Sequence, residues 1–365
     1  MINLQFFPSK RIAFYMARLF LTRSFAVLAA LVVVLQMLDL LGESAHILAY
    51  PGNGDPQLWR YVSLRLPYLI SFFLPFSVLL GTLITLATLN QNSEIVSMKA
   101  AGISAHQIIA PLVLASLGVA AVHFAFNERI VTRANDTLNA WKAVNYGPVP
   151  RDSGMRPNVW LRWTDDLIFV QQVQGTGEAT RLHGVRVYDR TGATLQRIIN
   201  AQTGERRGKG WLLAGVNIFD VNMATRREQP TLVYGEGLDP RQFTLAKVNA
   251  DEQDFASLRS AIRELKLTGH DTSELESSFW NKISGPLSSI LMPLLAAVAA
   301  FGLARSGQLF VRAVIGMALG FAYFVVENFA LAMGSLGAYP PLVAAWAPFL
   351  LFLLVGEAVL IRTEE

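Results

Sequence analysis

Ionisable residues inside apolar runs come first, because a charge held in hydrocarbon is costly and is kept for a reason. Asp39, His123, Lys282 and Glu327 interrupt or border long apolar stretches. Glu327 falls about 15 residues into its run, or roughly 22 Å along a helix at 1.5 Å per residue. Lys282 opens another run at a similar depth. Two chemistries fit. Glu327 pairs with Lys282 or another cation and clamps helices together, or it forms part of a polar cavity wall. A proton relay needs several such groups in series. So few are present that an ion-driven transporter is disfavoured.

Other reactive patterns fail on spacing. TGERRGKGW resembles a phosphate-cradling loop, but Gly204 and Gly208 stand one residue too close and Gly210 replaces the hydroxyl that would reach magnesium. A β-turn is the better reading. His46, His106, His123, His183 and His270 are scattered without a metal-ligand pattern. A G-x-S-x-G elbow is missing. Cysteine is absent, which excludes disulfides and thiolate metal sites. Hydrolase and metalloenzyme chemistry thus lack positive support. A chain that moved a substrate uphill would draw on a partner or an ion gradient.

The elements that must position these residues are membrane spans. The 365 residues are 52% hydrophobic and 16% charged, against about 25% charged in soluble domains. Mean hydropathy is +0.37 and net charge +4. Lys10, Arg11, Arg18 and Arg23 make a basic start that reads as the cytoplasmic flank of a first span rather than a nucleic-acid site. Gly42-Glu43-Ser44 loosely fits a cleavage site. The apolar stretch before it is longer than a signal core of about 7–15 residues, so a retained helix is expected. Runs of spanning length lie near 20–42, 64–89, 106–127, 281–303, 312–334 and 342–361. Lys99, Arg305, Arg312 and Arg362 share the side of the basic start, which predicts cytoplasmic termini and an external segment 128–280.

That segment changes character. NVWLRW, LIFVQQVQ, GVRVYD, TLQRIIN, GWLLAGVNIFDV and TLVYGE are β-rich runs between turn signals. They predict an all-β jelly roll or sandwich, with Val159, Leu161 and Trp163 alternating onto one face. DFASLRSAIREL then reads as an amphipathic linker helix capped by Asp254, with Phe255, Leu258, Ile262 and Leu265 at helical spacing. The fold class is a polytopic α-helical membrane protein, three spans plus three, with an inserted periplasmic β-jelly-roll domain. Its divisions are 1–127, 128–274 and 275–365. Pro67, Pro75, Pro286, Pro293 and Pro348 allow bent spans. Gly316 and Gly320 form a GxxxG pair for a close helix seam, within the chain or between subunits.

Between spans two and three lies NQNSEIVSMKAAGISAHQ, residues 90–107. Asn92 or Ser93 can cap a helix, with Glu94 in its first turn and Gly102 closing it left-handed. Ile95 and Met98 make a narrow apolar edge. The outcome is a two-turn helix, either an elbow at the headgroups or a lever docked to a cytoplasmic protein.

QNSEIVSMKAAG resembles the coupling helix of the LptF/LptG permease family of lipopolysaccharide exporters. FWNKISGPLSSILMPLLA, GFAYFVVENF, YPPLVAAWAP and the three-plus-three order extend the resemblance over nearly the whole chain, closer to the LptG branch than to LptF. The resemblance implies an ABC transporter permease in the bacterial inner membrane, not itself an enzyme and binding no cofactor. ATP and Mg would sit on a dimeric LptB ATPase that grips residues 92–103, through Ser93, Glu94, Ile95, Met98 and Gly102. A homologous LptF permease would complete a cavity gated by spans one and five, where Gln36, Asp39, Arg65, Gly316, Gly320 and Glu327 are the candidates. Lipopolysaccharide would leave the outer leaflet for the jelly roll, lined by Val159, Leu161 and Trp163, and pass to LptC and LptA. The family pattern has lysines near the outer end of span one; here LQMLDLLGESAH has none, although Asp39 fits. Arg60, Arg65, Lys282 or the partner permease would then supply cations, Arg65 first, or the lipid carries different charges. The rival reading is a non-transporting anchor that recruits partners through its β domain.

Overall fold

The computed structural model describes residues 9–148, 156–175, 177–192, 194–245, 249–267, 271–302 and 309–362. His270 and Arg305 lie outside them. The described chain divides into two compact units, residues 1–139 with 250–365 and residues 140–249.

The first unit contains six helical stretches long and apolar enough to cross a bilayer. α1 (Lys10–Leu48) and α2 (Asp55–Gln91) are followed by the short α3 (Glu94–Ala100). α4 (Ala105–Phe126) runs through a π-helical turn, Asn127–Val131, into α5 (Thr132–Ala143). The third span therefore does not stop near 127. α7 (Phe255–Leu267), α8 (Ser273–Ala297, extended by a second π turn to Gly302), α9 (Leu309–Ser335) and α10 (Pro341–Arg362) complete the unit. α7, expected as the tail of the inserted domain, groups with the membrane unit instead.

Packing follows side-chain size. α1 buries Met16, Phe20, Ser24, Leu28, Val32 and Gln36, a stripe at four-residue spacing. Gly81 of α2 meets that stripe: a Cβ there would lie 2.2 Å from Ser24 Oγ and 2.6 Å from Ser24 Cα. Only a missing side chain lets these two backbones approach so closely. Gly316 and Gly320 of α9 face Leu83 and Leu79 of α2, so the GxxxG pair forms a seam inside the chain. α8, rich in Ser, Pro and Ala, has 72% of its apolar window buried, whereas α1 and α9 have 17% each.

The second unit is one antiparallel sheet: β1 (Arg156–Trp163), β2 (Asp166–Gln174), β3 (Arg181–Thr191), β4 (Thr194–Arg207), β5 (Gly210–Asp220) and β6 (Thr225–Tyr234). Each strand pairs with its sequence neighbours, a meander order. Gly208 and Lys209 form the two-residue turn joining β4 to β5, and Gly208 adopts φ +64°, which settles TGERRGKGW as a hairpin.

A flat sheet would hold β2 and β6 about 19 Å apart at roughly 4.8 Å per strand. Instead the Tyr234 hydroxyl of β6 donates to Asp166 of β2 at 2.5 Å. The sheet curls on itself into a roll. Burial of Tyr234, then the carboxylate beside it, pushes its ionisation above the ordinary tyrosine value.

A crease makes the curl possible. In β2 to β5, two residues rather than one separate successive inward side chains: Val170 and Val173, Leu182 and Val185, Ala201 and Gly204, Leu213 and Val216. The interruptions line up across the sheet. Gly184 (φ +65°) opposes Gln171 and Gly215 (φ +66°) opposes Gln202, each glutamine packing over the glycine. A Cβ at Gly184 would meet Gln171 Cβ at 2.8 Å. The inward residues, with Leu238 and Phe243 of the segment around α6 (Pro240–Leu245), form a core separate from that of the membrane unit.

Candidate coupling helix and membrane cavity

α3 is fixed at both ends. At its start Ser93 takes the left-handed conformation, φ +59°, and its side chain makes no capping bond. Of the two expected caps, Asn92 or Ser93, the serine therefore does not cap the helix through its side chain. Asn92 donates to Glu94 Oε1 at 3.2 Å, and Tyr15 of α1 donates to the same oxygen at 3.4 Å. At the far end Gly102 adopts φ +82°. Its N–H donates to Lys99 O at 3.0 Å, and the Ile103 N–H to Met98 O at 3.1 Å. That pair is the Schellman closure, and both Met98 and Ile103 pack on the membrane core.

The faces of α3 differ from expectation in one respect. The edge of Ile95 and Met98, expected to meet a partner, faces the chain's own core, with Ile95 5% exposed and Met98 partly buried against it. It anchors the helix. The exposed strip is Ser93, Val96, Ser97 and Ala100, with Glu94 half-buried beside it. At the same end of the bundle, His106 of α4 and Glu357 of α10 approach to 3.4 Å.

The opposite end holds the ion pairs. Asp39 of α1 accepts from Arg65 at 3.2 Å and from Tyr61 at 2.6 Å, both on α2. The Arg65 guanidinium also lies 4.6 Å from the Tyr68 ring centroid. Arg65, the favoured cation for a phosphate, is thus neutralised by the acid that fits the family pattern. Gln36, another cavity candidate, points into the α1–α2 stripe, and its amide atoms are buried without a hydrogen-bond partner among the described residues.

Lys282 does not pair with Glu327. It reaches Glu128 of the π turn at 3.3 Å, with both side chains about 15% exposed. Glu128 also accepts the Phe255 N–H that starts α7, at 2.5 Å. One carboxylate therefore ties the third span, α7 and α8 together. Asp254 caps α7 by accepting the Ser257 N–H at 2.7 Å, and those serine hydrogen bonds hold its carboxyl below the usual range. Phe255 stacks on Phe279 of α8 with ring centroids 4.3 Å apart.

Glu327 lines a cavity of about 270 Å³ together with Lys282, Ser71, His123, Asn127 and Asn281. Tyr323 donates to Glu327 Oε1 at 3.1 Å. Ser71 donates to Asn127 Oδ1 at 2.6 Å and lies 2.8 Å from His123 Nε2. A polar cavity wall is the arrangement found. Gly320 is also on it, while Gly316 is not. In the roll, Val159 and Leu161 are buried in the core and Trp163 packs at its margin.

Sequence reasoning missed Gly81 and the crease. The four-residue spacing of Ser77, Gly81 and Thr85, all small, carried the first signal. The two-residue interruptions in VQQV, LHGV, AQTG and LAGV carried the second.

Six membrane-length helices, a short anchored helix between two of them and an inserted antiparallel β roll mark a multi-pass membrane protein with a β domain. Residues 14–362 match the family described as lipopolysaccharide export system permease LptF/LptG, and the chain belongs to that family. It is similar to the lipopolysaccharide export system permease protein LptG of Escherichia coli K12, with 25% identity over 309 residues, 83% of this chain and 84% of that protein. It is also similar to LptG of Haemophilus influenzae, with 27% identity over 329 residues, 86% and 89% of the two chains.

Proposed function

We propose that this chain is the LptG-type half of an ATP-driven lipopolysaccharide exporter in the bacterial inner membrane, with both termini cytoplasmic and residues 128–280 periplasmic. One observation carries the reading: α3 is immobilised by Ile95, Gly102 and the Glu94 contacts, yet presents an exposed strip to a partner. A short helix so fixed passes any push directly into α2 and α4. The engine is a dimeric LptB-type ATPase holding ATP and Mg. A homologous LptF-type permease covers the uncovered apolar faces of α1 and α9 and completes the cavity. Lipopolysaccharide enters between them, with its acyl chains passing to the roll and onward to LptC- and LptA-type bridge proteins.

Headgroup recognition differs from the family's lysine pattern. With Arg65 held by Asp39, a phosphate would have to displace that carboxylate to gain the guanidinium. Glu94→Lys tests the coupling role. The variant is expected to lose the ATPase in a pull-down while the purified chain keeps its thermal stability. Full retention of the ATPase would overturn the assignment of α3.

A further inference from the structure

A second cavity, of about 710 Å³, runs beside α3 between α2 and α9. It is graded along its length. Leu80 and Leu83 of α2 and Met317 of α9 line the deep end, while Asn90, Gln91 and Lys99 line the end at α3. From Leu80 to Gln91, α2 rises about 17 Å at 1.5 Å per residue. That is close to one leaflet, half of a hydrocarbon core about 30 Å thick. No acid lines the groove among the described residues. Lys99 Nζ sits 5.1 Å from the Phe301 ring centroid, a contact that leaves its charge unneutralised. A second cation, Arg23 of α1, donates to the Ile84 carbonyl of the same stretch at 2.8 Å.

We propose that this groove binds an anionic phospholipid of the leaflet on the α3 side, its acyl chain along Leu80 and Leu83 and its phosphate at Lys99. A greasy slot one leaflet deep, polar and cationic only at the headgroup end, matches that amphiphile in length, gradient and charge. The lipid would wedge between the anchored helix and the seam that Gly316 and Gly320 form with α2. It would thereby bear on how far α3 can move relative to α9.

The test uses the full chain in nanodiscs with diazirine-tailed phosphatidylglycerol or phosphatidylcholine, and mass spectrometry of labelled peptides. Phosphatidylglycerol is expected to label Leu83 and Met317 about fivefold more than phosphatidylcholine, the factor one lysine supplies near an anionic headgroup. Lys99→Gln changes an exposed side chain and should abolish the difference. Ala313→Phe fills the groove and should suppress labelling there by both lipids. Exposed Leu351 of α10 should label equally throughout. Equal labelling by the two lipids in the groove, or no adduct at Leu83 and Met317 with either while Leu351 is labelled, would overturn the proposal.

Discussion

α8 and α1 are both apolar spans, yet protein covers one and leaves the other open. α8 reads SGPLSSILMPLLAA, small and hydroxylated, and neighbouring helices approach it on most sides. α1 reads AVLAALVVVLQMLDLL, bulky and branched, and buries only a stripe one residue wide. Without a hydrophobic force between helices in lipid, close contact is favoured where side chains are small. Bulky faces are left to lipid or to another subunit. The difference separates what holds this chain together from what it offers to a partner.

Substitutions can break or sharpen that contrast. The largest effect is expected from Lys282→Met, which strands Glu128 where both partners are mostly buried. Loss of about 3–5 kcal/mol is expected in detergent unfolding, and Glu128→Gln in the same chain should restore much of it. Next comes Gly81→Ala. Its new methyl meets the Ser24 backbone, which cannot rotate away, so α1 must shift at a cost of about 1–3 kcal/mol. Tyr234→Phe is expected to loosen the roll by about 1 kcal/mol through loss of the bond to Asp166, read as faster proteolysis of the β unit. Least costly to the isolated chain is Leu38→Ser on the open face of α1, within about 0.5 kcal/mol. That variant should nevertheless reduce co-purification of a second permease. If it destabilised the chain as much as Gly81→Ala, covered and open faces would not differ as argued.

The spans, the six strands and α3 were legible because each rests on local periodicity, and helix and strand repeats survive in any packing. Gly102 was legible for the same reason: a helix needs a left-handed stop. The partners of Lys282 and Arg65 were not, because depth along a helix says nothing of which face a charge occupies. Ile95 was placed on the wrong side of α3 for a related reason. Two apolar residues three apart define an edge, but not whether the edge meets the chain's own core or another protein. The crease was written in four consecutive strands and escaped notice because each strand alone merely looked imperfectly alternating.

The central claim is that α3 faces the cytoplasm, where an ATPase can work it. The chain contains no cysteine, so Ser97→Cys on the exposed strip and Asn222→Cys on a turn of the roll give two clean labelling sites. A membrane-impermeant maleimide should label position 97 only in inside-out vesicles and position 222 only from the periplasmic side. Labelling of position 97 from the periplasm would contradict the account.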